Sequence, residues 1–253
     1  MPCRLPAPLD QNDKQVKHRS MQSHAPFDLL QWLSDASASA FVAAAHKLVV
    51  PAGQTIYAQS DDGDELFRVV SGSIRLSVAD QDGRELSYYL FGPGDCFGTA
   101  SVVDYGPRPQ TAEAFQAVEL QVLNRQTINR LRTEHPNLND ALLRLLSGHM
   151  RLLSDYFASA TFDEVSFRLA QRLVIVADTF GVPSEDGVTL SARLSQSELA
   201  ALIGTARQTV NRILQNFQQK GWVSMRGGAL VLTDLEQLRA LAKKGSHLQE
   251  FID

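Results

Sequence analysis

Arg207, Gln208, Asn211 and Arg212 lie close together in the chain and carry groups suited to hydrogen-bonding nucleic-acid base edges. A guanidinium donates twice to guanine O6 and N7, and a Gln or Asn amide pairs doubly with adenine. Such chemistry needs these side chains on one face of a helix whose other face is anchored. Val210, Ile213, Leu214 and Phe217 recur at i, i+3, i+4 and i+7, which predicts a helix from about Ala206 to Lys220 with these four inward. Arg207, Gln208, Asn211, Arg212 and Gln215 are left on the opposite face. Upstream, Ser195-Gln196-Ser197-Glu198 has the form of a capping box and predicts a first helix starting at Gln196, buried through Leu199, Leu202 and Ile203. Gly204 between them permits the backbone of a sharp turn. Two short helices, a tight turn and polar groups near the start of the second helix are the arrangement that enters the major groove of DNA.

After Gly221, the segments Trp222 to Met225 and Ala229 to Leu232 flank Arg226-Gly227-Gly228 and predict a small hairpin, or wing. Arg226 at its tip is a candidate phosphate contact, which fixes register without specifying sequence. Thr233-Asp234-Leu235-Glu236 reads as a second capping box, opening a terminal helix with Leu235, Leu238 and Leu241 inward. The formal net charge of −4 argues against a uniformly basic coat. Basic character is instead local: from Arg193 to Gly228, Arg193, Arg207, Arg212, Lys220 and Arg226 face Glu198 alone.

The rest of the chain offers little catalytic chemistry. No nucleophile motif, phosphate-cradling loop or helical HExxH string is present, so no enzyme is predicted. The histidines at 18, 24, 46, 135, 149 and 247 lack metal-ligand spacing, and the two cysteines, Cys3 and Cys96, exclude a four-cysteine cage within one chain. Cys96 reads as a small buried hydrophobe. No apolar run approaches the roughly 20 residues that span a bilayer, and the N-terminus lacks a secretory signal, so a cytoplasmic protein without membrane contact is expected.

Upstream of the reading helices, the periodicity changes twice. Residues 1 to 25 are polar and proline-rich and predict a mobile arm. Phe27 to Ala45 reads as a short helical stretch. From Lys47 to about Arg125 come short runs punctuated by Gly and Pro: Ile74, Leu76 and Val78 alternate, Asp82-Gly83 marks a turn, and Leu86, Tyr88 and Leu90 alternate again. Turns recur often enough for a barrel or jelly-roll. Asn137 to Ala160 then carries two apolar stripes. Leu143, Leu146, Met150, Leu153 and Phe157 form one; Leu138, Leu142, Leu145, Leu152 and Tyr156 form the other, interrupted by His149. One stripe suffices for a surface helix, so the first is assigned to a partner helix in a homodimer. Glu164 to Phe180 is amphipathic and ends at Gly181-Val182-Pro183, followed by a polar loop from Ser184 to Gly187.

The run Ile203 to Leu214, the following Lys220-Gly221-Trp222 and the wing resemble the helix-turn-helix of the CRP/FNR superfamily. Gly53 to Tyr57, Leu66 to Ile74, and Gly92-Pro93-Gly94-Asp95-Cys96-Phe97-Gly98 are similar to successive motifs of that family's cyclic-nucleotide-binding roll. The resemblance runs in order from about residue 27 to 233. It implies a homodimer on a near-palindromic DNA site, with the residues matching Arg207, Gln208 and Arg212 touching bases. Relatives reading the best-known half-site carry Glu at the position of Gln208 and commonly Ser at that of Ala206, so a changed base preference is expected. Nucleotide-binding relatives follow Phe-Gly with Glu, for the ribose, and later carry Arg-Ser or Arg-Thr, for the phosphate. Here Thr99 and then Ala100 follow Phe-Gly, and Gln110-Thr111 stands at the Arg-Thr position. Losing a charge-assisted bond to phosphate removes roughly 1.5–3 kcal/mol. Leu153 and Ser154 match positions that often turn hydroxyls to the nucleotide base.

The expected fold is therefore α+β, an N-terminal β-roll (double-stranded jelly-roll barrel), a long dimerisation helix and a C-terminal winged helix-turn-helix. Its expected divisions are an arm over 1–25, a sensor roll over 26–135, the dimerisation helix over 136–162 with a hinge at Ser159 to Asp163, and the DNA-binding domain over 163–253. Candidate effector contacts are Thr99, Ala100, Arg108, Gln110, Thr111, Leu153 and Ser154. No cofactor is predicted and the effector is unassigned, cyclic AMP in the usual mode being disfavoured. Expected partners are DNA, a second copy of the chain and, as a candidate, RNA polymerase. Two alternatives stay open: a true cyclic-nucleotide sensor in which Arg108 takes over the phosphate, and an effector-binding module without DNA recognition.

Overall fold

A computed structural model of the chain describes residues 26–81, 85–190 and 194–245. The expected arm over 1–25, the Asp82-Gly83 turn, Arg193, Cys3, His18, His24 and His247 lie outside the described residues.

A 3-10 turn at Leu29–Trp32 precedes α1 (Asp35–Ala44). The single helical stretch expected here is thus two pieces, separated by the extended Leu33 and Ser34, and Ser34 caps α1 by accepting from Ser37 N. Eight strands follow: β1 (His46–Val50), β2 (Thr55–Tyr57), β3 (Glu65–Ser71), β4 (Ile74–Ala79), β5 (Glu85–Phe91), β6 (Cys96–Phe97), β7 (Thr111–Ala114) and β8 (Val118–Asn124), with the short α2 (Thr99–Asp104) between β6 and β7. They form two antiparallel four-stranded sheets, ordered β1-β8-β3-β6 and β2-β7-β4-β5. Phe67 and Phe97 stack at 5.0 Å in the core they enclose. This is the expected roll.

The strand β5 departs from the expected pattern. A register shift between Leu76 and Ser77 puts Ser87, Tyr89 and Phe91 among the buried residues, with Tyr89 and Phe91 in the roll core. Leu90, one of the alternating apolar residues, belongs to the core of the C-terminal part of the chain. Both faces of the strand are covered, and simple alternation cannot say which cover is the roll.

α3 (Arg125–Glu134) leads into α4 (Asn137–Phe162), whose Leu138, Leu142 and Leu145 complete the roll core. The turn preceding β6 is tied down from within: Asp95 accepts from Phe27 N at 3.1 Å and from Gly92 N at 2.9 Å. Burial pushes this carboxyl up to about 7, while the two N–H bonds work the other way.

The C-terminal part contains α5 (Val165–Phe180), β9 (Gly181–Ser184), β10 (Gly187–Leu190), α6 (Gln196–Ile203), α7 (Arg207–Gln219), β11 (Val223–Arg226), β12 (Ala229–Leu232) and α8 (Leu235–Gly245). Its sheet is ordered β11-β12-β10-β9. The polar loop expected at Ser184 to Gly187 is the tip of the β9–β10 hairpin, which extends the wing. The expected second capping box is also corrected: Asp234, not Thr233, caps α8 by accepting from Gln237 N, and Thr233 Oγ1 donates to Gly221 O. The expected hinge shrinks likewise. Ser159 to Phe162 are helical and held, Ser159 Oγ by Gln171 and Ala160 O by Arg168, leaving Asp163 and Glu164 as the non-helical link.

Roll and C-terminal part touch through β5. Leu90 and Phe115 pack with the core of the latter, and a Cβ added to Gly92 would come within 2.8 Å of Thr179 Cγ2. The sequence Gly92-Pro93-Gly94-Asp95 therefore serves a close approach of α5 as well as a turn.

Candidate nucleic-acid interface and effector cavity

The capping box forms as expected. Ser195 Oγ accepts from Glu198 N at 3.2 Å, and Glu198 Oε2 accepts from Ser195 N at 2.6 Å, so the one acidic group in the basic segment is consumed in starting α6. Gly204 ends α6 with φ +62°, a conformation that costs a residue with a Cβ about 1–2 kcal/mol. The chain turns there, and α7 is anchored by Val210, Leu214 and Phe217, all buried, with Ile213 half-buried.

Arg207, Gln208, Asn211 and Arg212 are exposed on the other face of α7. Among the described residues, none hydrogen-bonds or ion-pairs with these four side chains. Ala206 gives α7 no side-chain cap, so the first N–H groups of the helix also remain open to an external acceptor such as phosphate. Arg226 is exposed at the end of β11 but is already paired, at 2.6 Å from Asp186 on the β9–β10 turn. Lys220 lies over the Trp222 ring at 4.5 Å.

On α4, the two stripes separate as their spacing requires. Leu138, Leu142 and Leu145 are buried against the roll, with Leu152 and Tyr156 half-buried beside it. Leu143, Met150, Leu153 and Phe157 are 65%, 66%, 49% and 70% exposed, and Leu146 is half-buried. So many large apolar side chains on one helix face are the kind of surface that a partner covers.

Between the roll and α4 is a cavity of about 430 Å³. Of the expected contacts, Thr99, Ala100, Gln110 and Leu153 line it. Arg108, Thr111 and Ser154 do not. Arg108 is 3% exposed, donates from Nη1 to Glu65 O and Gly98 O at 3.0 Å each, and lies over the Tyr57 ring at 4.3 Å. Its guanidinium is held by the loop scaffold, behind Gly98 of the cavity wall. Thr111 Oγ1 accepts from Gln59 N, and the exposed Ser154 returns its hydroxyl to Met150 O.

Other lining residues escaped the sequence reading: Leu86, His149 and Tyr156. His149 interrupts the apolar stripe, and that interruption was the available signal. Burial lowers its pKa to about 4, against a backbone hydrogen bond with Cys96, so it is neutral near pH 7. Its Nε2 and the Oγ1 of Thr99 are buried without hydrogen-bond partners. Cys96 is fully buried and its thiol is pushed up to about 12, which fits the packing role expected of it.

Residues 47–135 match the cyclic nucleotide-binding domain family, and residues 167–241 match the Crp-like helix-turn-helix domain family. The chain is 31% identical over 193 residues to a CRP-like cAMP-activated global transcriptional regulator of Mycobacterium tuberculosis, covering 76% of this chain and 86% of that one. The chain belongs to the CRP/FNR family of transcription regulators. A cyclic AMP receptor protein of Thermus thermophilus is also 31% identical, over 192 residues, with the same coverage of 76% and 86%. Among solved structures, a CRP/FNR-family transcriptional regulator from Thermus thermophilus matches with a TM-score of 0.67 at 27% identity, over 78% of this chain and 98% of that one. As a CRP/FNR regulator, the chain binds DNA with its helix-turn-helix and carries a cyclic-nucleotide-binding-type roll. Among the described residues, no helix is long and apolar enough to cross a membrane.

Proposed function

We propose that this CRP/FNR regulator acts as a homodimer on a near-palindromic DNA site, with the α7 helices of the two copies in successive major grooves. Arg207, Gln208, Asn211 and Arg212 read bases and Arg226 contacts phosphate. The single observation carrying this reading is the face of α7: exposed donors and amides near an uncapped helix start, unclaimed by any described residue, on a helix anchored by three buried side chains. Gln208 offers both a donor and an acceptor where a Glu would only accept, which favours a base preference different from the best-known half-site.

The second copy covers the stripe Leu143, Leu146, Met150, Leu153 and Phe157 on α4. The division of labour is an arm over 1–25, a sensor over 26–135, the dimer helix over 136–162 and the reader over 163–253, at work in the cytoplasm with RNA polymerase as candidate second partner. The effector is not cyclic AMP held in the usual way, because the guanidinium nearest in sequence to the phosphate position is buried in the loop scaffold. Gel-shift titration of Arg207→Ala and Arg212→Ala on selected DNA tests the reading. Each loss of a bidentate contact weakens specific binding by about 1–3 kcal/mol, and specific binding weakens steeply with salt. Unchanged affinity in both variants would overturn the proposal.

A further inference from the structure

We infer that Asp186, on the β9–β10 turn, competes with the DNA backbone for Arg226 and so sets how strongly the reader holds DNA of any sequence. The inference deepens the proposed function and rests on it for the phosphate contact of Arg226.

The ion pair runs along the wing sheet, away from its tip. Arg226 pairs with Ala229 at the tip end of β12. β10 begins at the other end of β12: Val188 pairs with Leu232, and a Cβ built on Gly187 would lie 2.2 Å from Leu232 O. Asp186 immediately precedes Gly187. Arg226 Nη1 nevertheless lies 2.6 Å from Asp186 Oδ2, so the guanidinium is folded back from the wing tip towards the β9–β10 turn. A phosphate at the tip takes the whole charge only as Asp186 gives it up, since carboxylate and phosphate both accept from the same N–H groups.

The pairing is selective. Of the described basic residues between 193 and 228, Arg226 alone meets a carboxylate; Arg207 and Arg212 are exposed and unpaired, and Lys220 lies over Trp222. Glu198, the acidic residue of that segment, is spent on the start of α6. The pair is also poorly suited to bracing the fold. Its side chains are 61% and 43% exposed, where an ion pair contributes little, and β10 already holds β12 by backbone pairing. The same exposure leaves the guanidinium free to change partners. Affinity for DNA of any sequence comes from phosphates neutralised by cations, so an arginine withheld by Asp186 weakens target and unrelated DNA alike.

The test titrates the full-length protein, by fluorescence anisotropy, against a duplex carrying the selected site and an unrelated duplex of equal length. Asp186→Asn, which keeps the shape and removes the charge, is expected to melt like the parent and to bind both duplexes about twofold to fivefold more tightly at about 0.1 M salt. The gain should fade as salt rises. Glu185→Gln removes the same charge one residue away, on a side chain that makes no ion pair among the described residues, and is expected to gain less. In an Arg226→Ala background, Asp186→Asn is expected to gain nothing. An equal gain from Glu185→Gln, or a gain that persists without Arg226, would overturn the competition in favour of simple repulsion between the turn and DNA. No gain from Asp186→Asn, where Arg226→Ala weakens both duplexes, would overturn the competition and leave the phosphate contact standing. Unchanged affinity in Arg226→Ala would strike that contact, and the competition with it. The base-reading part of the proposed function is judged separately, by Arg207→Ala and Arg212→Ala.

Discussion

Lowering the pH from 7.5 to 5 should weaken the contribution that His149 makes to the roll's stability, and the size of that loss follows from its surroundings. The imidazole packs against Phe27 at 4.7 Å and Phe91 at 5.6 Å, and burial brings its pKa from 6.5 to about 4. Because the folded pKa is depressed, the neutral form favours the fold above the unfolded pKa of 6.5. That stability is lost as pH falls through the folded value near 4. At 1.36 kcal/mol per unit the full loss is about 3 kcal/mol, of which about 2 kcal/mol falls between pH 7.5 and 5. Asp95 works in the opposite sense, since its carboxyl is raised from 3.8 to about 7 and its contribution is lost as pH rises through 7. Comparison with His149→Leu cancels the Asp95 effect, which both proteins share. The chain's two tryptophans make the measurement local: Trp32 packs with the roll core and Trp222 with the reader core. Urea unfolding followed through Trp32 in a Trp222→Phe background should show the protein with His149 intact losing about 2 kcal/mol more than the His149→Leu variant between the two pH values. Equal losses, within about 0.5 kcal/mol, would refute the claim that a neutral imidazole is locked in this wall.

Ser195→Ala removes the side-chain cap of α6 and should cost about 1 kcal/mol, read through Trp222 in a Trp32→Phe background; an unaltered reader transition would contradict the capping box. Phe157→Glu puts a charge at the C-terminal end of the exposed α4 stripe, on its most exposed member, and should shift sedimentation toward the monomer. A dimer of undiminished strength would move the interface elsewhere. Arg226→Ala breaks only an exposed ion pair, so stability should hold within about 0.5 kcal/mol. DNA affinity should nevertheless fall for all sequences alike, with the salt slope reduced by about 1. A loss confined to particular bases would make Arg226 a base reader.

Local rules made the reader legible. Ser195, Glu198 and Gly204 act within a few residues of themselves, and the inward spacing of Val210, Leu214 and Phe217 left only one face for Arg207 and Arg212. The paired stripes on α4 were legible for the same reason, one period holding along the helix. What escaped depends on contacts between distant segments. Arg108, flanked by Pro107 and Pro109, looks like an exposed loop arginine, and only folding brings the carbonyls of Glu65 and Gly98 to it. Leu90 alternates correctly as a strand residue, yet a second core waits on its outer side. The β9 strand hides its pairing because it is short and carries Gly181 and, at a sheet edge, Pro183. His149 looked like a lone histidine, and its place in a cavity wall depends on the roll closing over α4.

Whether two copies of α7 read one two-fold site is decided by in vitro selection of bound DNA from a random pool with the purified full-length protein. Enrichment of a near-palindrome is expected, two half-sites about one helical turn apart, whose base preference relaxes when Arg212 is replaced by Ala. Enrichment of an isolated half-site, or no enrichment above the non-specific background, would contradict the reading.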